Sequence, residues 1–558
     1  AGAPDWAQHL RTRPAGPDGD AGIPSDWREA WRWAQLQTVL QNLDGRAEMQ
    51  RLTARRQELW QDYEQAFAEV VRLRTYMGLY NRMTDPIRSA LTRFTSAMRR
   101  IGRGTGTSAP RHRQAARRAM EECYSAVPVW IMPEWRVSES LPADLGLFDL
   151  VIIDEASQSD VRALPAVLRG KKVLCVGDEK QVTPVSPGFP DSYMRQLEHS
   201  YLRNQVYGSE LLPGSSFYEL MSAAFPGERI MLKEHFRCVE PIIRFSSREF
   251  YDDKIRPMRV PRPSERLDPP LIDILVPHGS RGAQGNSKVN KTEADVIVAE
   301  IARMVEDPAM AGRRIGVISL VNDQQARHIQ RRLLNTIGEA KYREHGILCG
   351  DAATFQGSEA DIVFLSMVVA GKVTAVTSTM YQQRFNVALS RAKDRMILVR
   401  SVPDNAFKNP ADMKARAIQH FRNPMPQDNK DLGDLSQWCD SELEREVYRR
   451  LHADGYNVRP QVPAGGYRID LVVEGENDAR LAIEMDGDLY HGPEVWWQDF
   501  QRQLALERVG WRFWRCWGSS WTLDPDACYA DLVDTLAGMG IEPTGNQPGG
   551  TASLHAAR

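Results

Sequence analysis

The sequence predicts an α/β protein built on buried parallel sheets, with a helical arm ahead of them and a smaller α/β domain behind. Three observations lead there. From Val127 to about Arg400, short apolar strands alternate with amphipathic helices. Ahead of that region, apolar residues recur at helical spacing between Trp27 and Arg100. Behind it, past a stretch rich in Pro, Asn and Asp, a second and shorter α/β pattern runs from Ser441 to about Gly538. The 558 residues leave room for roughly three or four domains.

In chain order, residues 1–26 are rich in Pro, Gly and Asp and are expected to be a linker. Residues 27–126 are expected to be helical. Leu36, Val39, Leu40 and Leu43 keep helical spacing, as do Leu59, Tyr63, Phe67, Val70 and Leu73. That predicts an antiparallel pair of helices with short coiled-coil character. From Pro86 to Met120 the chain has nine arginines and no acid, which is either a phosphate-contacting surface or a solvated helix face. Residues 127–228 and 229–404 contain the strands "LVIID", "KVLCVGD", "RIGVIS", "DIVFLSMVV" and "RMILVRS". Continuous apolar runs of this length are expected where helices cover both faces of a parallel sheet. Residues 405–435 read as a linker, 436–540 as the smaller domain and 541–558 as a disordered tail.

Composition narrows the class. A chain with 42% hydrophobic and 26% charged residues has the profile of globular domains with cores. No apolar run approaches the roughly 20 residues needed to span a bilayer, so no membrane partner is expected. Seven cysteines are scattered without a C-x-x-C pair, which argues against a disulfide framework or a zinc knuckle and for a reducing, cytoplasmic setting.

The chemistry begins at "FDLVIIDEASQSD". A buried strand ending in Asp154 and Glu155 can present one carboxylate to a magnesium ion and another to an attacking water. Taken alone, acids at a strand end are as often helix caps. Some twenty residues on, "VLCVGDEKQVTP" ends a second strand in Gly177 and Asp178 and places Gln181 on the next loop. "LKEHFRCVEPIIRF" then carries Arg237 just before a helix, and "GDAATFQGSEADIVFLS" puts Gln356, Gly357 and Glu359 in a turn ahead of a strand. "RFNVALSRAKDRMILV" sets Asn386, Ser390 and Arg391 on a helix leading into a strand, where an arginine can stabilise charge on a transferring phosphoryl group.

These five blocks, in this order, resemble motifs II to VI of superfamily 1 helicases, in particular the nonsense-decay and Dna2-type branch. The likeness covers about Val127 to Val402. It implies two RecA-like domains, the first incomplete in this chain, with ATP and Mg2+ as cofactors and nucleic acid as partner. It also implies that Asp154 ligates magnesium and Glu155 activates water. Gln181 would contact the γ-phosphate, with Gly177 and Asp178 beside it. Arg237 and Arg391 would form the arginine pair of the second domain, and Glu359, with Gln356 and Gly357, would lie near the nucleotide. The helices before Asp154 are implied to be an insertion or stalk of the first domain.

One part of that pattern is missing from the sequence. No G-x-x-x-x-G-K-[ST] loop occurs in it. The glycine-rich "GRGTGTSAPRHR" lacks the Gly-Lys-Ser/Thr and a flanking strand and helix, so it does not qualify. The chain opens at Ala1 without a methionine. The expectation is therefore the C-terminal part of a longer helicase, with the N-terminal portion that carries the phosphate loop missing.

A separate constellation follows. A helix with Glu442 and Glu446 leads to Asp470 in "GYRIDLVV", and a later strand delivers Glu484 and Asp486 in "LAIEMDGD". Thirteen residues separate Asp470 from Glu484, enough for two neighbouring strands and a turn. Their carboxylates are then expected to share one magnesium ion, which favours hard oxygen ligands. Acids inside an apolar strand are costly unless paired or metal-bound. This region resembles the PD-(D/E)xK nucleases, specifically the group related to very short patch repair endonucleases, through Glu484, Asp486, Gly487, His491, Asp499 and Arg502. It departs from them at the lysine position, which is Asp486, and no lysine occurs after Lys430. His491, Arg502 or a second metal on Asp486 are the candidates to replace it. Trp496, Trp497, Trp511, Trp514, Trp517 and Trp521 are expected to be mostly core.

The leading expectation is a fragment of an ATP-dependent helicase joined to a magnesium-dependent endonuclease, acting on DNA rather than RNA. Phage defence or repair is implied by family analogy alone. The alternative is a nucleic-acid-binding scaffold with an incomplete ATPase and an inactive nuclease.

Overall fold

The computed structural model of the chain describes residues 8, 11–12, 26–43, 46–102, 106–124, 126–183, 190–212, 214–276, 289–371, 373–424, 435–475, 478–486 and 493–543. Two compact units divide it. The first holds residues 1–132 with 140–142 and 519–525, and the second holds the rest.

The first unit is helical: α1 (Trp27–Leu43), α2 (Arg46–Arg82), α3 (Asp85–Ile101) and α4 (Ala109–Glu121). The helices fall where the apolar spacing predicts, but the packing differs. Leu36, Val39, Leu59, Tyr63, Phe67, Val70 and Leu73 are exposed, so the stripe of α2, about 55 Å long at 1.5 Å per residue, is not buried in an antiparallel pair with α1. The packed antiparallel pair is α3 with α4. Ile87, Ala90 and Cys123 are buried between them, and Arg93 bonds to Glu122 at 2.6 Å. Small alanines let the two backbones approach, so the arginine run is left on the outside. Arg88, Arg93, Arg99, Arg100, Arg111, Arg113, Arg117 and Arg118 are all exposed.

In the second unit β1 (Val151–Ile153) and β2 (Val173–Cys175) pair in parallel, Ile153 beside Cys175. The expectation of two covered faces is not met here, because Ile152 and Leu174 are exposed. Another parallel pair follows, β3 (Glu234–Val239) and β4 (Arg256–Arg259), with α5 (Glu240–Phe250) between.

The next elements are β5 (Leu271–Leu275), α6 (Lys291–Met304), β6 (Ile315–Ser319), α7 (Asp323–Glu344), β7 (Leu348–Asp351), β8 (Ala360–Ser366), α8 (Thr379–Ala388), β9 (Ala392–Arg400) and α9 (Met413–Arg422). The strands form one parallel sheet in the order β5-β9-β8-β6-β7. Here both faces are covered. Ile297 and Ile301 of α6 with Ile329 and Leu333 of α7 pack on one side. Ile242 and Phe245 of α5, Phe385 of α8 and Phe421 of α9 pack on the other. The presence of α9 corrects the reading of residues 405–435 as linker. Its Met413, Ala417, Ile418 and Phe421 are core residues, and the Pro and Asp around it frame a helix rather than a tether.

At the edge of this sheet, fully buried Arg400 is clamped by Asp273 of β5 through two bonds of 2.7 and 2.8 Å. Asp273→Ala leaves that guanidinium short of its partner and is expected to destabilise the sheet by about 3 kcal/mol. Urea unfolding followed by far-UV circular dichroism checks the value.

The last elements are α10 (Glu442–Ala453), β10 (Asn457–Ala464), β11 (Tyr467–Glu474), β12 (Arg480–Asp486), α11 (Pro493–Arg508), β13 (Phe513–Trp517) and α12 (Pro525–Gly538). The sheet order is β10-β11-β12-β13, with only the last pairing parallel. This sheet is seated against the β4 segment. Met258 lies in one core with Val462, Ile469, Ala482, Leu506 and Trp511. Gly465 is favoured at that seam by its left-handed φ of +62°, and its lack of a Cβ leaves room for the Met258 side chain, whose sulfur would lie 2.9 Å from one. No described helix is long and apolar enough to cross a membrane.

Candidate functional site

At the end of β1, Asp154 and Glu155 are exposed. Asp154 Oδ1 accepts from the Glu155 N–H at 2.9 Å, and Glu155 Oε2 accepts from Gln158 Nε2 at 3.0 Å. Glu155 has φ +53°, a left-handed conformation that costs a non-glycine residue about 1–3 kcal/mol and gathers at functional positions. Past β2, a Cβ on Gly177 would lie 2.8 Å from the Tyr218 ring and 3.0 Å from the Ser157 nitrogen, so only glycine fits. Asp178 then organises its loop, accepting from the Lys180 N–H at 2.9 Å, Gln181 Nε2 at 3.1 Å and the Tyr251 hydroxyl at 2.6 Å.

The facing wall comes from the five-stranded sheet. Arg391 donates from Nη2 to Gln181 Oε1 at 3.2 Å and from Nε to the Val387 carbonyl at 3.1 Å. Burial, and then the nearby charge of Arg237, push its pKa down to about 10, while Glu155 pulls the other way. It therefore stays charged at neutral pH and feels Glu155. Arg237, in β3, donates from Nε to Glu359 Oε2 at 2.7 Å. Glu359 also meets Lys393 at 3.0 Å. Led by the Arg237 hydrogen bond, these cations hold the Glu359 carboxyl at about 2 despite its partial burial. Gln356, Gln383 and Asn386 donate to the carbonyls of Val182, Glu179 and Lys180, and Gly357 turns the chain at φ +79°.

The structure thus brings Glu155, Gln181, Arg237, Glu359 and Arg391 within reach of one another, with Asp178 bonded to Gln181, and Asp154, Gly177, Gln356 and Gly357 beside them in the chain. Ser390 and Arg391 lie just past the end of α8, in the turn into β9, rather than on the helix itself. Tyr251, Gln383 and Lys393 also belong to the cleft. Local spacing does not mark them, since their partners lie far away in the chain.

In the smaller sheet, Leu471 pairs with Ile483 and Val472 with Ala482. The next positions, Asp470 and Glu484, therefore face each other across β11 and β12. Glu484 is buried at 6% exposure. Both carboxyls are pushed up from the ordinary range, first by burial, and Glu484 next by the charge of Asp470. Asp470 accepts from the Met485 N–H at 2.8 Å, and Glu484 Oε1 meets Arg502 Nη2 at 3.1 Å. Arg502 also stacks over Tyr467 at 5.0 Å. Asp486 is held by Arg515, Oδ2 to Nε at 3.1 Å.

The helix acid near this pair is Glu444, not Glu442 or Glu446. Those two pair with Arg445, Arg449 and Arg450 at the surface. Glu444 is buried, raises the Asp470 pKa by its charge, and accepts from Gln461 Nε2 at 3.0 Å. Gln461 has φ +51° and sits opposite Asp470, between the pairings of Pro460 with Leu471 and Val462 with Ile469. Gly487 and His491 lie outside the described residues, as does the side chain of Asp499. Trp511, Trp514 and Trp521 are core as expected, whereas Trp497 and Trp517 are exposed.

Two facing carboxylates, Glu484 buried and Asp470 half-buried, both raised above the ordinary range, suit a divalent cation with hard oxygen preference. Among the described residues no group of three or more His, Cys, Asp or Glu side chains is arranged to hold one. Asp486 adds its charge to both carboxyls, raising each, while it is itself paired with Arg515.

Comparison with known proteins agrees with both halves. Residues 212–402 match the AAA domain family AAA_12, and residues 443–536 match the REase_MTES_1575 family. The uncharacterized ATP-dependent helicase MG140 of Mycoplasma genitalium is 22% identical over 453 residues, covering 74% of this chain and 38% of that protein. A regulator of nonsense transcripts 1 homolog of Neurospora crassa is 28% identical over 269 residues, covering 45% of this chain and 22% of that protein. The chain thus spans well under half the length of these relatives. The PRRSV helicase structure aligns at 17% identity and a TM-score of 0.21, over 45% of this chain and 34% of that one.

Proposed function

We propose that this chain, which carries an AAA_12 helicase domain homologous to the nonsense-transcript regulators and to MG140 and a restriction-endonuclease-type domain, joins a helicase-type motor domain, without the phosphate loop it needs, to a magnesium-dependent DNA endonuclease. The observation that supports the nuclease half is the facing pair Asp470 and Glu484, the first half-buried and the second buried, with the charge of Asp470 raising the Glu484 carboxyl even though Arg502 lies beside it. Magnesium held by these two would supply Lewis-acid stabilisation of a phosphodiester and a more acidic water. The protein's own part is to fix the two oxygen donors, with Met485 N–H orienting Asp470 and Arg502 orienting Glu484.

The motor half is supported by the contact between Gln181 and Arg391, which joins the two walls of the cleft. Asp154 would hold magnesium there, and Glu155, Gln181, Arg237 and Arg391 would meet the phosphate end of ATP. The glycine-lysine cradle for the other phosphates is not among the 558 residues, so the residues present fit only part of a nucleotide and no hydrolytic step follows from them. The same fact favours a second reading, a nucleic-acid-binding scaffold.

The test compares labelled single- and double-stranded DNA with RNA of the same sequence, incubated with the whole chain and Mg2+. DNA is expected to be cut in preference. Cleavage confined to RNA would overturn the substrate assignment, and no cleavage of either would favour the scaffold.

A further inference from the structure

We propose that Arg515 is the cation that takes the place of the absent lysine, brought to the site by the neighbouring strand and held there by the acid at the lysine's position. This rests on the nuclease reading above. On β12 the residue two past Glu484 is Asp486, and no lysine follows Lys430. On β13, parallel to it, Arg515 stands in register with Glu484. In-register neighbours of a parallel pair project from the same face of the sheet, so Arg515 rises beside Glu484 from the next strand. Its Nη2 donates to Asp486 Oδ1 at 3.2 Å and its Nη1 to Gln503 Oε1 at 3.4 Å. Its Nε is at ion-pair distance from Asp486 Oδ2, 3.1 Å, yet it is buried and makes no hydrogen bond among the described residues. Arg515 is thus held chiefly by Asp486, on the face of the sheet that carries Glu484. The charge of Arg515 also acts on Glu484.

The arginine already paired with Glu484, Arg502, has its own partners. Arg502 bonds to Glu484 and the Arg468 carbonyl and lies over Tyr467, which makes it the residue that aims Glu484. Asp486 in turn aims Arg515, so an acid and an arginine together fill a role that a single lysine fills elsewhere.

The role has a chemical limit. An arginine stays protonated in proteins, so Arg515 cannot take the proton of the attacking water. What it can do is carry the extra negative charge of the phosphate as that water attacks. In the hydrolysis, the water oxygen forms a new P–O bond and one P–O ester bond breaks. The water proton passes to solvent, and the leaving oxygen takes one from solvent.

Cleavage by the whole chain would be compared for the wild type, Arg515→Lys, Arg515→Gln and the double variant Asp486→Asn with Arg515→Gln, with Mg2+ titrated in each. Removing one such charge-stabilising donor is expected to lower the maximal rate about a hundredfold. The half-saturating Mg2+ should stay where it is, and lysine should restore most of the rate. The double variant, which leaves no unpaired acid, should stay as slow as Arg515→Gln. If the double variant regains the wild-type rate, Arg515 serves only to neutralise Asp486 and the proposal falls while the nuclease reading stands. An unchanged rate in Arg515→Gln has the same meaning. A wild type that cuts nothing removes both.

Discussion

Glu484→Gln is expected to lower magnesium-dependent DNA cleavage by about a thousandfold or more, the equivalent of about 4 kcal/mol of lost transition-state stabilisation. Glutamine keeps the size of the side chain and its contact with Arg502 but removes the charge that, with Asp470, would hold the ion. The same substitution should have the opposite effect on the metal-free fold. The pKa values of both carboxyls are raised in the folded state, mainly by burial. Between the ordinary carboxylate range, about pH 4, and those raised values, the folded protein holds protons that the unfolded chain has released. The pair's contribution to stability is therefore greatest at low pH and is lost as pH rises toward and past neutrality. Glu484→Gln should flatten that decline, so that its Tm without metal falls less between pH 5 and 8 than that of the wild type. Thermal melts in EDTA check it. A steeper fall in the variant would mean that the acids are not repelling each other.

The second large effect concerns the cleft. ATP turnover by the 558-residue chain is expected to sit at the buffer background, although Glu155, Gln181, Arg237 and Arg391 are gathered in one place. Arginines and a magnesium-binding acid act on a phosphoryl group that other residues already hold in line. The holding residues are the backbone amides of a glycine-rich loop and its lysine, and the sequence contains no such loop. A malachite-green assay with and without single-stranded DNA reads this directly. Turnover that is lost in Glu155→Gln would contradict it, because it would show a complete hydrolytic site within these residues.

How much of this was legible depends on the distance over which each residue acts. Asp154, Gln181 and Arg391 could be picked out because the sequence blocks that carry them, each beside an apolar strand, resemble helicase motifs in order. Tyr251 could not, since its hydroxyl reaches Asp178 from 73 residues away. Glu444 was missed by two positions. Its neighbours Glu442 and Glu446 look equivalent in sequence, but the N-cap at Ser441, which bonds to the Glu444 N–H and carboxylate, turns Glu444 inward and leaves the others to surface arginines. Arg515 could not be found without knowing that β13 runs parallel to β12. The opposite error occurs on α2. Its apolar stripe predicts the helix correctly but says nothing about what covers it, and Tyr63 and Phe67 are 59% and 58% exposed. In β5, Asp273 interrupts the apolar run that would have marked the strand, because it is there to meet Arg400.

Asp470 and Glu484 are expected to hold one divalent ion, separately from the region that contains Asp154. Calorimetric titration of the chain with Mn2+ at pH 8 tests it most directly. The expected isotherm includes an ion whose binding disappears in Asp470→Asn and in Glu484→Gln and survives in Asp154→Asn. An isotherm that neither Asp470→Asn nor Glu484→Gln alters would contradict the claim.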